Sequence, residues 1–357
     1  MSGILNVFAQ RLKQARILKK MSMDQLVFNI GGIITKQAIS KYENAKMMPN
    51  STILIALATA LDVDIDYFFR PFTFDVHELK VSFRKKSRTS AKDVNSLKVQ
   101  IQDEVERYLE VEEILGKEKH PTPLMVCDQL SYPSQMRDLA QQLREKWQLG
   151  IDALANVQDI LEIHGVKIIC TDAPLGFDGV SGIINEKDYI LVLNKRQLHV
   201  ERRRFTAMHE LGHLLFDQHF SPSLTLREKE KLCDAFASEM LLPSVIIQSR
   251  FSPGEKFSTS EIRQLQLVFG ISFDAIIHKL HELGIINDGK YKTYCIRKNK
   301  NKALKHFVEA SCYNEAFTTK FETMVYAALA KELISTSKAA SLIHTSVGTI
   351  RNHLSVI

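Results

Sequence analysis

The run Arg203-Arg204-Phe205-Thr206-Ala207-Met208-His209-Glu210-Leu211-Gly212-His213-Leu214-Leu215-Phe216 carries the pattern H-E-x-x-H at 209–213. An α-helix turns about 100° per residue, so positions i and i+4 stack on one face and two imidazoles there can share one zinc ion. Glu210 lies beside them, where a carboxylate can take a proton from an attacking water. Phe205, Met208, Leu211, Gly212 and Leu215 form an apolar stripe. It would bury one side of a helix over 201–217 and leave the histidines toward a cleft. By composition the pentapeptide arises in about one chain of this size in forty. A buried helix that happens to carry two histidines is the bland alternative.

Catalytic zinc wants three protein ligands and an open position. Thr225 and Glu228 have capping-box spacing and open a predicted helix over 225–242, stopped by Pro243. Glu230 and Asp234 share a face of it, so one carboxylate can close the metal set while the other orients a histidine. The competing reading of Arg227-Glu228-Lys229-Glu230-Lys231 is an exposed charged turn with i,i+4 pairs. His219, just past the end of the first helix, is a weaker ligand. Upstream, helices are expected near 134–149 and 152–164, and Val166–Ile169 reads as a short strand. Gly179–Asn185 reads as a turn-rich segment. The apolar run Tyr189–Leu193 reads as a strand buried on both faces, able to take an extended peptide by strand addition.

The 203–216 stretch resembles the signature helix of the ImmA/IrrE family of metallopeptidases, and Glu230-Lys231-Leu232-Cys233-Asp234-Ala235-Phe236-Ala237-Ser238-Glu239-Met240-Leu241-Leu242-Pro243 resembles that family's second helix. Gly179-Val180-Ser181-Gly182-Ile183-Ile184, with the strand Tyr189–Asn194, is similar to the glycine-bearing hairpin that precedes them. The likeness covers about 125–290. It implies an α+β zincin-like metallopeptidase domain with Zn2+ on His209, His213 and Glu230 and with Glu210 as general base. It also implies a partner repressor protein as substrate. Asp234 falls where the family often has Asn, and it would hold a histidine from behind.

Residues 1–70 read as an all-α unit of four or five short helices. Ser22 and Gln25 make a capping box, Gly31-Gly32 ends that helix, and Thr35 caps the next, Lys36-Gln37-Ala38-Ile39-Ser40-Lys41-Tyr42-Glu43-Asn44. Together with Arg11–Arg16 and Pro49–Leu61, these residues resemble the Cro/CI-like (XRE) helix-turn-helix family, over residues 4–69. The turn Asn29–Ile34 is a residue or two longer than usual. On the DNA-binding reading, the third helix enters the major groove of a double-stranded operator with Lys36, Gln37 and Ser40 toward base edges. Gln25 and Lys41 are placed for phosphates, and Glu43 for structure. The alternative is a small bundle used only for protein contacts.

Between these domains, Arg84–Arg88 is a basic linker and Ser87–Gly116 a long charged helix, with His120-Pro121-Thr122-Pro123 as a boundary. Arg297–Lys302 reads as a basic loop. Ile334–Ile343 with Ser346–Arg351 loosely resembles another helix-turn-helix, although a helical tail packing on the body or on a second protomer is preferred. The expected organisation of the 357 residues is thus 1–70, 71–120, 121–290 and 291–357. It is a multi-domain chain: helix-turn-helix, linker with helix, metallopeptidase and helical tail.

Composition agrees with a folded protein: 45% hydrophobic and 25% charged residues exclude intrinsic disorder. Ile53–Ala60, the longest apolar run, is too short to span a bilayer. Met1–Asn6 lacks a secretory signal's basic start and cleavage site. Five scattered cysteines without a C-x-x-C pair argue for a reducing cytoplasm. Residues 1–70 hold nine Lys and Arg against five Asp and Glu, so most of the net charge of +6 sits on the domain proposed to meet DNA. The leading expectation is a cytoplasmic DNA-binding transcriptional regulator with a zinc-dependent endopeptidase that cleaves a repressor. Its rivals are a non-proteolytic regulator, or an antitoxin, whose metal-binding domain senses or binds a partner. Homodimerisation is allowed by either.

Overall fold

Cap residues set the helix starts in the computed structural model, which describes residues 2–72, 90–116, 127–174, 176–254 and 256–354. The N-terminal stretch forms α1 (Ser2–Leu18), α2 (Met23–Asn29), α3 (Lys36–Glu43) and α4 (Ser51–Leu61), then a 3-10 turn at Ile65–Phe69. Ser22, Thr35 and Asn50 each accept an amide hydrogen bond at the head of α2, α3 and α4. Phe8, Leu12, Leu26, Ile39, Leu57, Leu61 and Phe68 close over a common core.

The long charged helix is α5 (Ala91–Ile114), capped by Ser90. The basic stretch 84–88 and the boundary 120–123 lie outside the described residues. Then come α6 (Pro133–Lys146), α7 (Val157–Ile163), β1 (Lys167–Thr171), β2 (Gly179–Ile184), β3 (Asp188–Asn194), α8 (Val200–Phe216) and α9 (Leu226–Leu241). The chain continues through α10 (Ser244–Arg250), α11 (Thr259–Phe269), α12 (Phe273–Glu282), α13 (Asp288–Lys300) and α14 (Lys302–Glu309) to α15 (Lys320–Ala330), α16 (Thr336–Leu342) and α17 (Val347–Leu354). It divides into two compact units. Met1–Glu78, Lys85–Glu118 and Thr319–Ile357 form the first; Leu79–Arg84 and Lys119–Thr318 form the second. The C-terminal helices are therefore shared, α13 and α14 with the second unit and α15 to α17 with the first.

In the first unit α5 is a scaffold rather than a solvated rod. Leu97, Ile101, Val105 and Tyr108 are buried, and so are several of its charges. Glu106, 1% exposed, lies 2.6 Å from the guanidinium of the wholly buried Arg11. Arg70 reaches Asp103 at 2.7 Å and Glu106 at 3.1 Å, and Lys338 reaches Glu110 at 2.6 Å. Removing one partner of the buried Arg11–Glu106 pair strands a buried charge, at a cost of about 3–5 kcal/mol.

In the second unit the sheet order is β1-β3-β2, with β1 parallel and β2 antiparallel to β3. Three readings change here. The stretch expected to be turn-rich, 179–185, is mostly the strand β2, because pairing with β3 overrides its two glycines; the turn is confined to left-handed Asn185 and Glu186. The helix expected from 152 starts at Val157, where Asn156 caps it by accepting from the amides of Gln158 and Asp159. The basic loop 297–302 is helical apart from Asn301, which ends α13 and caps α14. Basic residues suit the last turn of a helix.

Buried charge also anchors this unit. Glu201, at the head of α8, accepts from the Ser311 hydroxyl at 2.5 Å, the Cys312 amide at 2.7 Å and the Gln266 amide at 3.0 Å. Burial pushes its carboxyl pKa up, but these donors outweigh that and hold it below its ordinary value. Glu239 is likewise held low: burial opposes, while Lys279 and Ser244 stabilise the charge. A carboxyl with a folded pKa below its unfolded value stabilises fully above about pH 4.3 and loses that contribution as pH falls through the folded value. Denaturant titrations at about pH 7 and pH 3 should therefore show stability lost in acid. Glu201→Gln should shrink that loss, and an unchanged acid limb would reject this assignment.

Candidate functional site

The site is built where α8 crosses α9. Gly212, inside the H-E-x-x-H run, has no side chain there; a Cβ would lie 3.3 Å from the Phe236 ring and 3.4 Å from Cys233 Sγ. This approach brings Glu230 of α9 to both histidines of α8. His209 Nε2 and His213 Nε2 are 3.1 Å apart, and the Glu230 carboxylate is 3.5 Å and 3.4 Å from them. One ligand atom from each of His209, His213 and Glu230 fits within a 4.8 Å cluster. His209 is 3% exposed, whereas His213 and Glu230 are partly open.

Each histidine is held from behind by a carboxylate. His209 Nδ1 lies 2.7 Å from Asp234, and His213 Nδ1 lies 2.7 Å from Asp217. A carboxylate at Nδ1 favours the proton there, which turns the Nε2 lone pair outward. Two lone pairs and a carboxylate then face one point, an arrangement that repels itself unless a cation joins it. The donor set fits a divalent metal such as zinc. The same crowding shows in protonation. Burial lowers the pKa of each histidine, but hydrogen bonds to Asp234 and Glu230 raise that of His209 above its ordinary value, and those to Asp217, Cys233 and Glu230 raise that of His213. The adjacent Cys233 thiol is pushed up to about 11, mainly by burial, and packs as a neutral group.

Glu210, next to His209 on α8, accepts a hydrogen bond from the Ser181 hydroxyl of β2 at 2.8 Å, and its charge is among those that act on His209. Gly179 lets β2 approach: a Cβ there would stand 2.7 Å from the Thr206 side chain and 2.9 Å from the Val192 carbonyl. Strand addition to β3, expected from its apolar sequence, is closed off, since β1 and β2 occupy both its edges. Among the described residues, the outer edge of β2 has no strand partner. His219 sits past α8 in a 3-10 turn and is not part of the cluster.

Sequence reasoning missed Asp217 and Ser181. Asp217 was detectable, four residues beyond His213 at the cap of the same helix. Ser181 was not, because only the pairing of β2 with β3 brings it to α8.

In the first unit, Lys36, Gln37 and Lys41 are exposed on α3, and Ser40 is half-buried. Ile39 and Tyr42 face the core, with Ala38 packed against it. Lys36 Nζ is 2.7 Å from Asp24, a pair more than half exposed on both sides that yields readily to another anion. Gln25 is exposed at the head of α2, with its side-chain oxygen accepting from the Ser22 amide at 2.8 Å. Glu43 is buried in a two-pronged pair with Arg16, at 2.6 Å and 2.7 Å.

Residues 161–281 match the peptidase-family model described as IrrE N-terminal-like domain, and residues 12–68 match a helix-turn-helix model. The chain joins a helix-turn-helix domain to an ImmA/IrrE-type peptidase domain. No curated protein matches it. The peptidase match starts within α7 and runs to α12, so it takes in the whole sheet and both site helices. The helix-turn-helix match takes in α2 to α4. No helix among the described residues is long and apolar enough to cross a membrane.

If the two aspartates set the histidine tautomers, Asp217→Ala and Asp234→Ala should each weaken zinc binding about 10- to 100-fold. A chromophoric-chelator competition with the apo-protein checks this. Wild-type affinity in both variants would mean that they only pack.

Proposed function

We propose that this chain is a cytoplasmic transcriptional regulator that binds operator DNA through α3 and cleaves a partner repressor with a zinc-dependent endopeptidase. What supports the peptidase half is the meeting of His209, His213 and Glu230 at one point, beside a Glu210 oriented from β2. His209, His213 and Glu230 would hold the ion. Bound there, zinc would supply Lewis acidity to a scissile carbonyl and to an attacking water.

The chain's own residues do the rest. Glu210 takes the proton from the attacking water and passes it to the leaving amine. The Ser181 hydroxyl occupies one carboxylate oxygen of Glu210 and fixes its direction. Asp217 and Asp234 keep both imidazoles from turning. The open edge of β2 is the place for an extended substrate, because backbone pairing there would lay a peptide along the strand that carries Ser181. The repressor as substrate rests on the resemblance to ImmA/IrrE peptidases, and a small helix-turn-helix repressor encoded beside this chain is the candidate to test.

For the DNA half, Lys36, Gln37 and Ser40 would meet base edges, while Gln25 and Lys41 would take phosphates. The pairing of Lys36 with Asp24 is loose enough to exchange for DNA.

Full-length protein loaded with zinc should cut the neighbouring repressor once or a few times. Glu210→Gln should keep its zinc yet slow cleavage by a factor of about 10²–10⁴. If wild type and Glu210→Gln leave the repressor equally intact, in solution and in cells, the peptidase reading fails and the metal domain acts as a sensor or partner-binding module.

A further inference from the structure

Residues 333–357 contain neither Asp nor Glu, although the chain has 41 of them in 357 residues. At that density, about three would be expected. The described part of this run folds as α16 and α17, which pack on each other and on α15. Met324, Val325 and Ala328 of α15, Ala339, Ala340 and Leu342 of α16, and Ile350 of α17 are all buried. Ser335 accepts from the Lys338 amide to open α16. Ser346 opens α17 by accepting from the Thr349 amide at 3.0 Å, the device Thr35 uses at the head of α3. The link between them is residues 343–346, with His344 in the left-handed region at φ 51°. A turn of three or four residues between such helices is the helix-turn-helix spacing. By that measure this pair is more regular than α2 and α3, whose link runs over residues 30–35.

The two helices divide their tasks. α16 is held to α5: Lys338 pairs with Glu110, and the Arg107 guanidinium donates to the Leu342 carbonyl. α17 is held to α15 near its end, where Tyr326 and His353 are 2.6 Å apart. That leaves Gly348, Thr349, Arg351 and Asn352 exposed on α17. This side of α17 is polar and carries one arginine, and among the described residues α17 itself has no large exposed apolar side chain and no carboxylate to repel phosphate.

We propose that α15 to α17 form a second DNA-reading unit, with α17 presented to the major groove of duplex DNA and Thr349, Arg351 and Asn352 as its contacts. Arg pairs with guanine and Asn with adenine through two hydrogen bonds each, and Thr can contact a thymine methyl. This goes beyond the proposed function, which places DNA contact on α3 alone. Because α1, the turn at 65–69 and α15 belong to the one unit organised on α5, both readers would act from one body and favour a site with two conserved blocks.

The test is selection by the full-length protein from a library of random duplexes of about 40 base pairs, followed by binding to the selected duplex across a salt series. Wild type should enrich two blocks. Arg351→Ala/Asn352→Ala should lose one block, bind the selected site at least tenfold more weakly and show a salt slope smaller by about one. Lys36→Ala/Gln37→Ala should lose the other block. Arg351→Lys should keep the salt slope and relax the base preference of its block. That result separates base reading from loss of folding, and melting curves serve as a second check. If the α17 variants select the wild-type site with wild-type affinity and slope, the inference is overturned. If only Lys36→Ala/Gln37→Ala is without effect, it is the α3 reading that fails.

Discussion

The crossing of α8 and α9 at Gly212 is the constraint on which the candidate metal centre depends. Two histidines on one helix define a direction, not a site. The third ligand has to come from elsewhere, and Glu230 reaches it because nothing larger than hydrogen separates Gly212 from Phe236 and Cys233. The far end of α9 is fixed just as firmly. There buried Lys279 donates to the carbonyls of Ser238 and of the cap residue Leu242, and Arg144 to that of Met240, so the end of the helix is tied down by two cations. Held at its middle by Gly212 and at its C-terminal end, α9 keeps Glu230 and Asp234 in register against His209 and His213.

Much of this was legible in sequence because it is local. The i,i+4 histidines, the capping box at Thr225, the shared face of Glu230 and Asp234, and the caps of α2 and α3 all need only helix geometry. What was not legible depends on partners distant in the chain. Gly179–Ile184 has the composition of a turn and becomes a strand because β3 pairs with it. The apolar run of β3 marked it as buried, but not that both edges were taken. Residues 310–318 have no periodic signal, yet they satisfy Glu201 through Ser311 and Cys312, and Arg204 through Glu315. The helical continuation through Arg297–Lys302 was hidden by its charge, which reads as solvated loop until Asn301 is seen to cap the next helix.

The charge surplus of residues 1–70 also takes a different meaning. Arg11 and Arg70 pair with α5, Lys20 with Asp93, Lys19 with Asp62 and Arg16 with Glu43. Among the described residues, Lys13, Lys41 and Lys46 have no such partner. The helix α5 itself carries seven acids against three bases. Thus the basic residues of the N-terminal domain are largely taken up by architecture, and on the proposed DNA-binding reading the field would come from a few positions: Lys13, Lys41, Lys46, the loosely paired Lys36 and, in the same unit, the acid-free run after Glu332.

Four carboxylates, those of Glu210, Asp217, Glu230 and Asp234, gather around two imidazoles at the candidate metal centre. Burial of His209 and His213 ought to depress their pKa values, yet both are raised, so the negative surroundings outweigh desolvation. A structural helix pair would have no use for that balance, since apolar residues in the same volume would pack without charge repulsion. The electrostatics favour positive charge at the paired Nε2 atoms, and a divalent ion supplies it without a proton. Asp at 234, where the resemblance anticipates Asn, adds a full negative charge behind His209 and strengthens that demand. The Ser181 hydroxyl then has a clear use: in so acidic a cluster it gives Glu210 a fixed donor from β2 and so a fixed direction.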